Sequence, residues 1–196
     1  MLRPTNIVIF AFLQQQITMK GLSTRAKEMG LPMTIEMAKK ARELSATGKH
    51  VISLSLGEPD FDTPDFIKEA ANDAMEQNYT HYMPIPGFAD VRASIAAKFK
   101  RDNNLEYSPD QIVVSTGAKQ SLLNIFLTLV NPGEEIIIPA PYWVSYMDQA
   151  KYCEGVVKTL PTSMERGFKI TASQLESAIT DKSKVLIFSS PNNPCG

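Results

Sequence analysis

Alternating strands and helices predict an α/β fold with a mainly parallel sheet covered on both faces. Three observations carry that expectation: short apolar runs bounded by turn residues, amphipathic helices between them, and repetition of the strand–helix pair through the second half of the chain. The repeat is a strand over 112–115 and a helix over 119–130, then a strand over 135–139 and a helix over 142–151. Further strands are expected over 155–160 and 184–188, with a helix over 172–179 between them. Upstream, residues 34–47 are rich in Ala, Lys, Glu and Met and stop at Gly48, as a helix does at a C-terminal glycine. Residues 51–56 alternate apolar residues with serine and read as a short strand or an extended entry to Gly57-Glu58-Pro59-Asp60. Pro64 suits a first helical turn, and a helix is expected over 66–77. Another is expected over 88–101, with Val91, Ile95 and Phe99 on one face.

The 196 residues, 43% hydrophobic and 21% charged, have the composition of one soluble globular domain. A formal net charge of −1 supplies no basic surface for nucleic acid, so small molecules are the expected partners. Cys153 and Cys195 are the only cysteines; they have no metal-like spacing, no metal is expected, and a reducing, cytoplasmic setting is. The first eighteen residues stand apart, with an apolar run over 7–13 followed by three glutamines. That run is shorter than the about 20 residues that cross a bilayer. It reads as a disordered extension upstream of a start at Met19, or as a cropped signal peptide lacking a small-residue cleavage pattern.

Three strand ends carry unusual chemistry, at the edge where open α/β sheets bind ligands. After 112–115 comes Thr116-Gly117-Ala118-Lys119-Gln120-Ser121, a small-residue turn into a helix. Free amides at a helix start suit a phosphate, with Ser115 and Thr116 as further donors; a plain N-cap is the alternative. The spacing does not fit a nucleotide P-loop. After 135–139 comes Ala140-Pro141-Tyr142-Trp143-Val144-Ser145-Tyr146, which places the only tryptophan at the mouth of the sheet. Its ring is placed either to stack on a planar cofactor or to pack its own helix. The third is Ser190-Pro191-Asn192-Asn193-Pro194-Cys195-Gly196, where the Asn193 amide both donates and accepts, or serves only the turn.

Taken in order, these motifs resemble those of the class I pyridoxal-phosphate-dependent aminotransferases of fold type I, close to bacterial aspartate aminotransferases. The resemblance runs from about Leu22 to Gly196. It rests on residues 57–64, on Tyr82 ahead of Pro86-Gly87, on Gly117-Ala118-Lys119-Gln120, on residues 141–146 and on Pro191-Asn192-Asn193-Pro194. It implies the amino-terminal part of the cofactor-binding large domain over 51–196, preceded by an arm and a helix of the small domain over 19–50 and the extension over 1–18.

The resemblance also implies roles. The backbone amide of Gly57 faces the substrate α-carboxylate, where a side chain would block approach. Gly117, Ala118 and Lys119 hold the phosphate of pyridoxal 5'-phosphate, Trp143 stacks on its ring, and Asn193 hydrogen-bonds its phenolic oxygen and helps place the substrate carboxylate. Tyr82 reaches the phosphate in the neighbouring subunit, which makes a homodimer the expected assembly. Thr34 is a pocket residue, and the Lys119 side chain helps bind the distal carboxylate of an acidic substrate such as aspartate or glutamate. Pro32 replaces a frequent serine and Cys195 a usual threonine, departures that weaken the dicarboxylate inference and alter turn hydrogen bonding.

The family moves an amino group between an amino acid and a 2-oxo acid, with the cofactor as electron sink. Its Schiff-base lysine, the Asp at the pyridinium nitrogen and the Arg that clamps the α-carboxylate belong beyond the terminal motif, so this chain alone is expected to be inactive. Lys184 follows a serine as that lysine does, but it begins a strand and so starts at the wrong edge of the sheet. The family topology also leaves the 112–115 strand without neighbours, because three later strands separate it from 184–188. Two other readings stand beside this one: a different fold type I enzyme, such as a carbon-sulfur lyase or decarboxylase, and a non-catalytic binding protein.

Overall fold

A computed structural model describes residues 21, 23–28, 33–54 and 57–196. The expected extension over 1–18, the start at Met19, Pro32, Ser55 and Leu56 lie outside the described residues. The chain forms two compact units, one of Met1–Gly30 with Asn131–Gly196 and the other of Leu31–Val130.

The first unit is built on a parallel sheet. Strands β1 (Glu135–Pro139), β2 (Val156–Leu160) and β3 (Ser183–Leu186) run in the order β2-β1-β3. The central strand is an uninterrupted isoleucine run, Ile136, Ile137 and Ile138, with each side chain at most 2% exposed. A strand covered on both faces needs apolar residues at every position, and this one has them. Helix α6 (Val144–Tyr152) connects β1 to β2 and buries Tyr146 and Ala150, while α7 (Ala172–Ala178) leads into β3. Thr171 caps α7 by accepting from the Gln174 amide at 3.1 Å, and Gln174 reaches back to the Thr171 amide at 2.9 Å. A short helix not foreseen from the sequence, α1 (Thr24–Glu28), docks on α6 through Arg25. Its guanidinium lies 5.7 Å from the centre of the Tyr152 ring and 3.6 Å from the Glu154 carboxylate.

At the amino end of the sheet, Glu135 ties together all three strands. Its carboxylate accepts from Thr180 Oγ1 at 2.6 Å and Ser183 Oγ at 2.9 Å, and lies 3.0 Å from Lys158 Nζ on β2. The Thr180 hydrogen bond first, then the Lys158 ammonium, hold its pKa below the ordinary glutamate value. Beside this clamp the β1–β3 ladder skips a residue: Glu135 pairs with Ser183 but Ile136 pairs with Val185, so Lys184 bulges out. A depressed carboxylate pKa stabilises the fold above the unfolded-state pKa, and the contribution is lost as pH falls through the folded-state value. Glu135→Gln is therefore expected to be less stable than the parent at pH 7, with the gap closing as the parent's carboxylate protonates. Denaturant midpoints measured from pH 7 to pH 3 check this; a gap that stays constant through acid would count against it.

The second unit contains helices α2 (Met33–Ala46), α3 (Asp65–Glu76), α4 (Ala89–Asn103) and α5 (Gly117–Leu129). These match the sequence expectations to within a few residues, with Pro64 immediately ahead of α3. Arg92 on α4 fastens the short 3-10 turn Pro109–Gln111, donating to Pro109 O at 2.8 Å and Asp110 Oδ1 at 3.2 Å. It also donates to Gly87 O at 3.3 Å. Helix α4 ends at Asn104 in the left-handed region, a position asparagine tolerates. Helix α3 departs from its apolar pattern in one respect: none of its residues is buried, and Phe66 and Met75 are exposed.

Two segments with strand-like sequence pair with no strand among the described residues: one fits its reading as an extended entry, and the other was expected to lack neighbours. Residues 51–54 lie outside any helix or strand. Residues 112–115 pair with no strand among the described residues; their cross-chain contact is the Val114 amide donating to Pro86 O at 3.0 Å. Extended backbone becomes a strand only when a neighbour takes up its amides and carbonyls, and here a single turn residue does so.

Candidate functional site

In the Leu31–Val130 unit, the turn into α5 has the features of an anion cradle. Ile112 is buried and anchors the approach, and the Gly117 amide then donates to Ser115 O at 2.7 Å across a tight turn. Gly117 has φ +76°, and a Cβ added there meets no atom within 4 Å. The glycine is thus required by backbone conformation, and the space in front of it is open. Thr116 makes no side-chain cap; its own amide instead donates to Gln120 Oε1 at 2.6 Å. The start of α5 therefore has no threonine side-chain cap. Residues 116–120 are exposed, including Ala118 and Lys119. A small phosphate-like anion fits such a helix start, where amides and dipole act together.

The other expected residues of this unit are spread along it. Thr34 is half-buried in the first turn of α2. Gly57 is exposed in a coil, and a Cβ built on it meets nothing within 4 Å. Tyr82 stands fully exposed in the coil ahead of Pro86-Gly87.

In the Asn131–Gly196 unit, the structure brings Trp143 and Asn193 to one edge. Strands β1 and β3 are parallel neighbours, so the segments leaving them emerge side by side. Trp143 caps the start of α6, half-buried, with its ring edge-on to Tyr146 at 5.6 Å and 85°. Asn193 lies exposed in the turn after β3, where its amide donates to Ser189 Oγ at 3.2 Å. Two residues not singled out from the sequence hold the Trp143 segment, Asn192 from the turn after β3 and Thr162 from the segment after β2. Asn192 Nδ2 donates to Pro141 O at 3.0 Å, and Thr162 Oγ1 donates to Ala140 O. The doubled asparagine was visible in the sequence, but which of the two faces inward was not. Lys184 sits at the amino end of β3, opposite the edge that carries Asn193. Among the described residues no group of His, Cys, Asp and Glu is placed to hold a metal, and no helix is long and apolar enough to cross a membrane.

In the Leu31–Val130 unit a helix start suits a phosphate, and in the Asn131–Gly196 unit an indole at a sheet edge beside a carboxamide suits an aromatic ring. Comparison with known proteins bears on the same residues: positions 49–196 match the family described as aminotransferase class I and II. The chain belongs to that aminotransferase family. It is 52% identical over 163 residues to a probable aspartate/prephenate aminotransferase of Rhizobium leguminosarum bv. phaseoli, covering 83% of this chain and 41% of the relative. It is 47% identical over 175 residues to an aspartate aminotransferase of Bacillus sp. (strain YM-2), covering 89% and 45%. Among solved structures it resembles the aspartate aminotransferase from Thermus thermophilus with maleate, at 41% identity and a TM-score of 0.86, covering 90% of this chain and 46% of that one. This aminotransferase-family chain thus spans less than half the length of the relatives it matches. Its α/β architecture with a parallel sheet is the fold type I architecture expected from the sequence.

Proposed function

We propose that this chain carries cofactor and substrate contacts of a pyridoxal-phosphate-dependent aminotransferase that acts on dicarboxylic amino acids such as aspartate or glutamate and on 2-oxo acids. The observation that supports it most is the meeting of the Trp143 and Asn193 segments at the carboxyl edge of a parallel sheet. Family membership and the open start of α5 support it further.

When bound, pyridoxal 5'-phosphate supplies the electron sink for the carbanion left when the α-proton departs. The residues of this chain bind and orient. Amides of Gly117, Ala118 and Lys119 would hold the phosphate through backbone rather than through mobile side chains. The Trp143 indole restricts the ring to a plane, and the Asn193 amide donates to the phenolic oxygen and to the substrate carboxylate. Gly57 leaves room for the α-carboxylate, and Thr34 lines the pocket. The Lys119 ammonium attracts a distal carboxylate, a preference in keeping with the maleate named with the Thermus relative. Tyr82, exposed on this chain, serves the phosphate of a second subunit in a homodimer. Lys184, at the far end of β3, is not the covalent anchor. The setting is cytoplasmic.

The test uses pyridoxine 5'-phosphate, which has the ring and phosphate without the reactive aldehyde. Titrating it into the chain is expected to quench the fluorescence of Trp143, the only tryptophan, with saturation. Inorganic phosphate should compete. Asn193→Ala should weaken binding about 10- to 100-fold, the effect of losing a hydrogen bond to a charged group. Absence of saturable quenching, or an affinity indifferent to Asn193, would sink the reading.

A further inference from the structure

The loop that carries Trp143 is gripped at two consecutive carbonyls. Thr162, after β2, donates its hydroxyl to Ala140 O; Asn192, after β3, donates Nδ2 to Pro141 O at 3.0 Å. Asn192 also organises its own turn. Its Oδ1 accepts from the Cys195 amide at 3.3 Å, and its backbone carbonyl accepts from the Gly196 amide at 2.7 Å. One side chain therefore reads two backbones, giving a proton to the loop before α6 and receiving one from the turn that contains Asn193.

We propose that Asn192 is a positioning residue, whose carboxamide locks the Trp143 loop to the Asn193 turn so that both reach the cofactor ring in fixed register. The inference rests on the function proposed above, in which those two residues contact the ring. A carboxamide is the group this position demands. It offers donor and acceptor on separate atoms, whereas an ionised aspartate of the same shape only accepts, and alanine does neither. The bond is partly shielded from solvent, which raises the cost of leaving Pro141 O without its donor. Trp143 is two residues from that carbonyl, so release of the loop transmits directly to the indole.

The indole also supplies the readout, because it is the only tryptophan and is half-buried. In the full chain at pH 7, Asn192→Asp and Asn192→Ala are each expected to raise the acrylamide quenching constant of Trp143 about two-fold. Each should lower pyridoxine 5'-phosphate affinity about tenfold, the loss of one net hydrogen bond. Asn193→Ala, which removes no hydrogen bond to the Trp143 loop, should lower the affinity and leave quenching at the parent value. The aspartate variant adds a pH readout. Lowering pH from 7 to about 3 protonates most of the new carboxyl, which can again donate to Pro141 O, and quenching should return to that of the parent at the same pH. Lys169 is the charged side chain lining the cavity at Asn192. The alanine variant should show no such recovery.

Parent-like quenching in both Asn192 variants at pH 7 overturns the proposal, as does a rise in Asn192→Asp that acid does not reverse. Should Asn192→Asp quench like the denatured chain, Asn192→Ala decides: an intermediate rise supports the lock, a parent value overturns it. If quenching behaves as expected while pyridoxine 5'-phosphate leaves the parent fluorescence unchanged, the lock stands and the cofactor reading fails.

Discussion

Gly87→Ala is expected to destabilise the Leu31–Val130 unit by about 2–6 kcal/mol, combining backbone strain of about 1–3 kcal/mol with overpacking of about 1–3 kcal/mol. Gly87 has φ +97°, outside the comfortable range of any residue with a Cβ. A Cβ there would fall 2.9 Å from Val114 Cγ2 and 3.0 Å from Val114 Cβ, an overlap with the stiff base of a β-branched side chain. Backing away is difficult, because Gly87 N donates to Pro84 O at 2.8 Å and Val114 N donates to Pro86 O at 3.0 Å. Denaturant unfolding followed by far-ultraviolet ellipticity measures the loss; less than about 1 kcal/mol would refute the strain argument. Adding Val114→Ala should recover only part of the loss, since it removes the Cγ2 overlap and leaves both the close Cβ at 3.0 Å and the dihedral strain.

Phe126→Ala should cost about 3–5 kcal/mol. Phe126 is fully buried and is the one buried residue of α5, so its ring anchors the helix whose first turn forms the anion cradle. Truncation removes the apolar transfer energy and leaves a void that a single helix cannot collapse to fill. The neighbouring Ile125 is 45% exposed, and Ile125→Ala should shift stability by about 0.5 kcal/mol or less. Equal costs at the two positions would mean that α5 packs differently from the arrangement described here. Phosphate competition against pyridoxine 5'-phosphate should weaken in Phe126→Ala and not in Ile125→Ala, which links the core to the cradle.

The elements legible in the sequence are those whose stability is local or whose burial is complete. Residues 135–139 announced a strand as a short apolar run between turn residues, and α7 was expected over 172–179 between two such runs. The segment over 112–115 has the apolar character of a strand and pairs with no neighbour among the described residues, as the family topology implied, because apolar alternation reports a wish for burial and not the presence of a partner. Val113 illustrates the difference: it is 66% exposed although its type suits a sheet. Within the site, Gly117, Trp143 and Asn193 were visible as chemistry standing at element ends. Asn192 and Thr162 were not, nor, at the other end of the sheet, was Glu135, because a side chain that joins distant segments has no periodicity to betray it. Their hydrogen bonds to Pro141, Ala140 and Thr180 span 51, 22 and 45 residues.

The extra residue at Lys184 gives β3 some slack. Two fixed points bracket it, the Glu135 carboxylate gripping Ser183 on one side and the apolar ladder from Val185 onward on the other. A shortening or lengthening of the chain ahead of Ser183 can be taken up at this loose link without rotating Val185 and Ile187 out of the interior. The asparagines downstream are thereby insulated from length changes in the α7 connection, as a cable with a loop of spare line keeps its far end still.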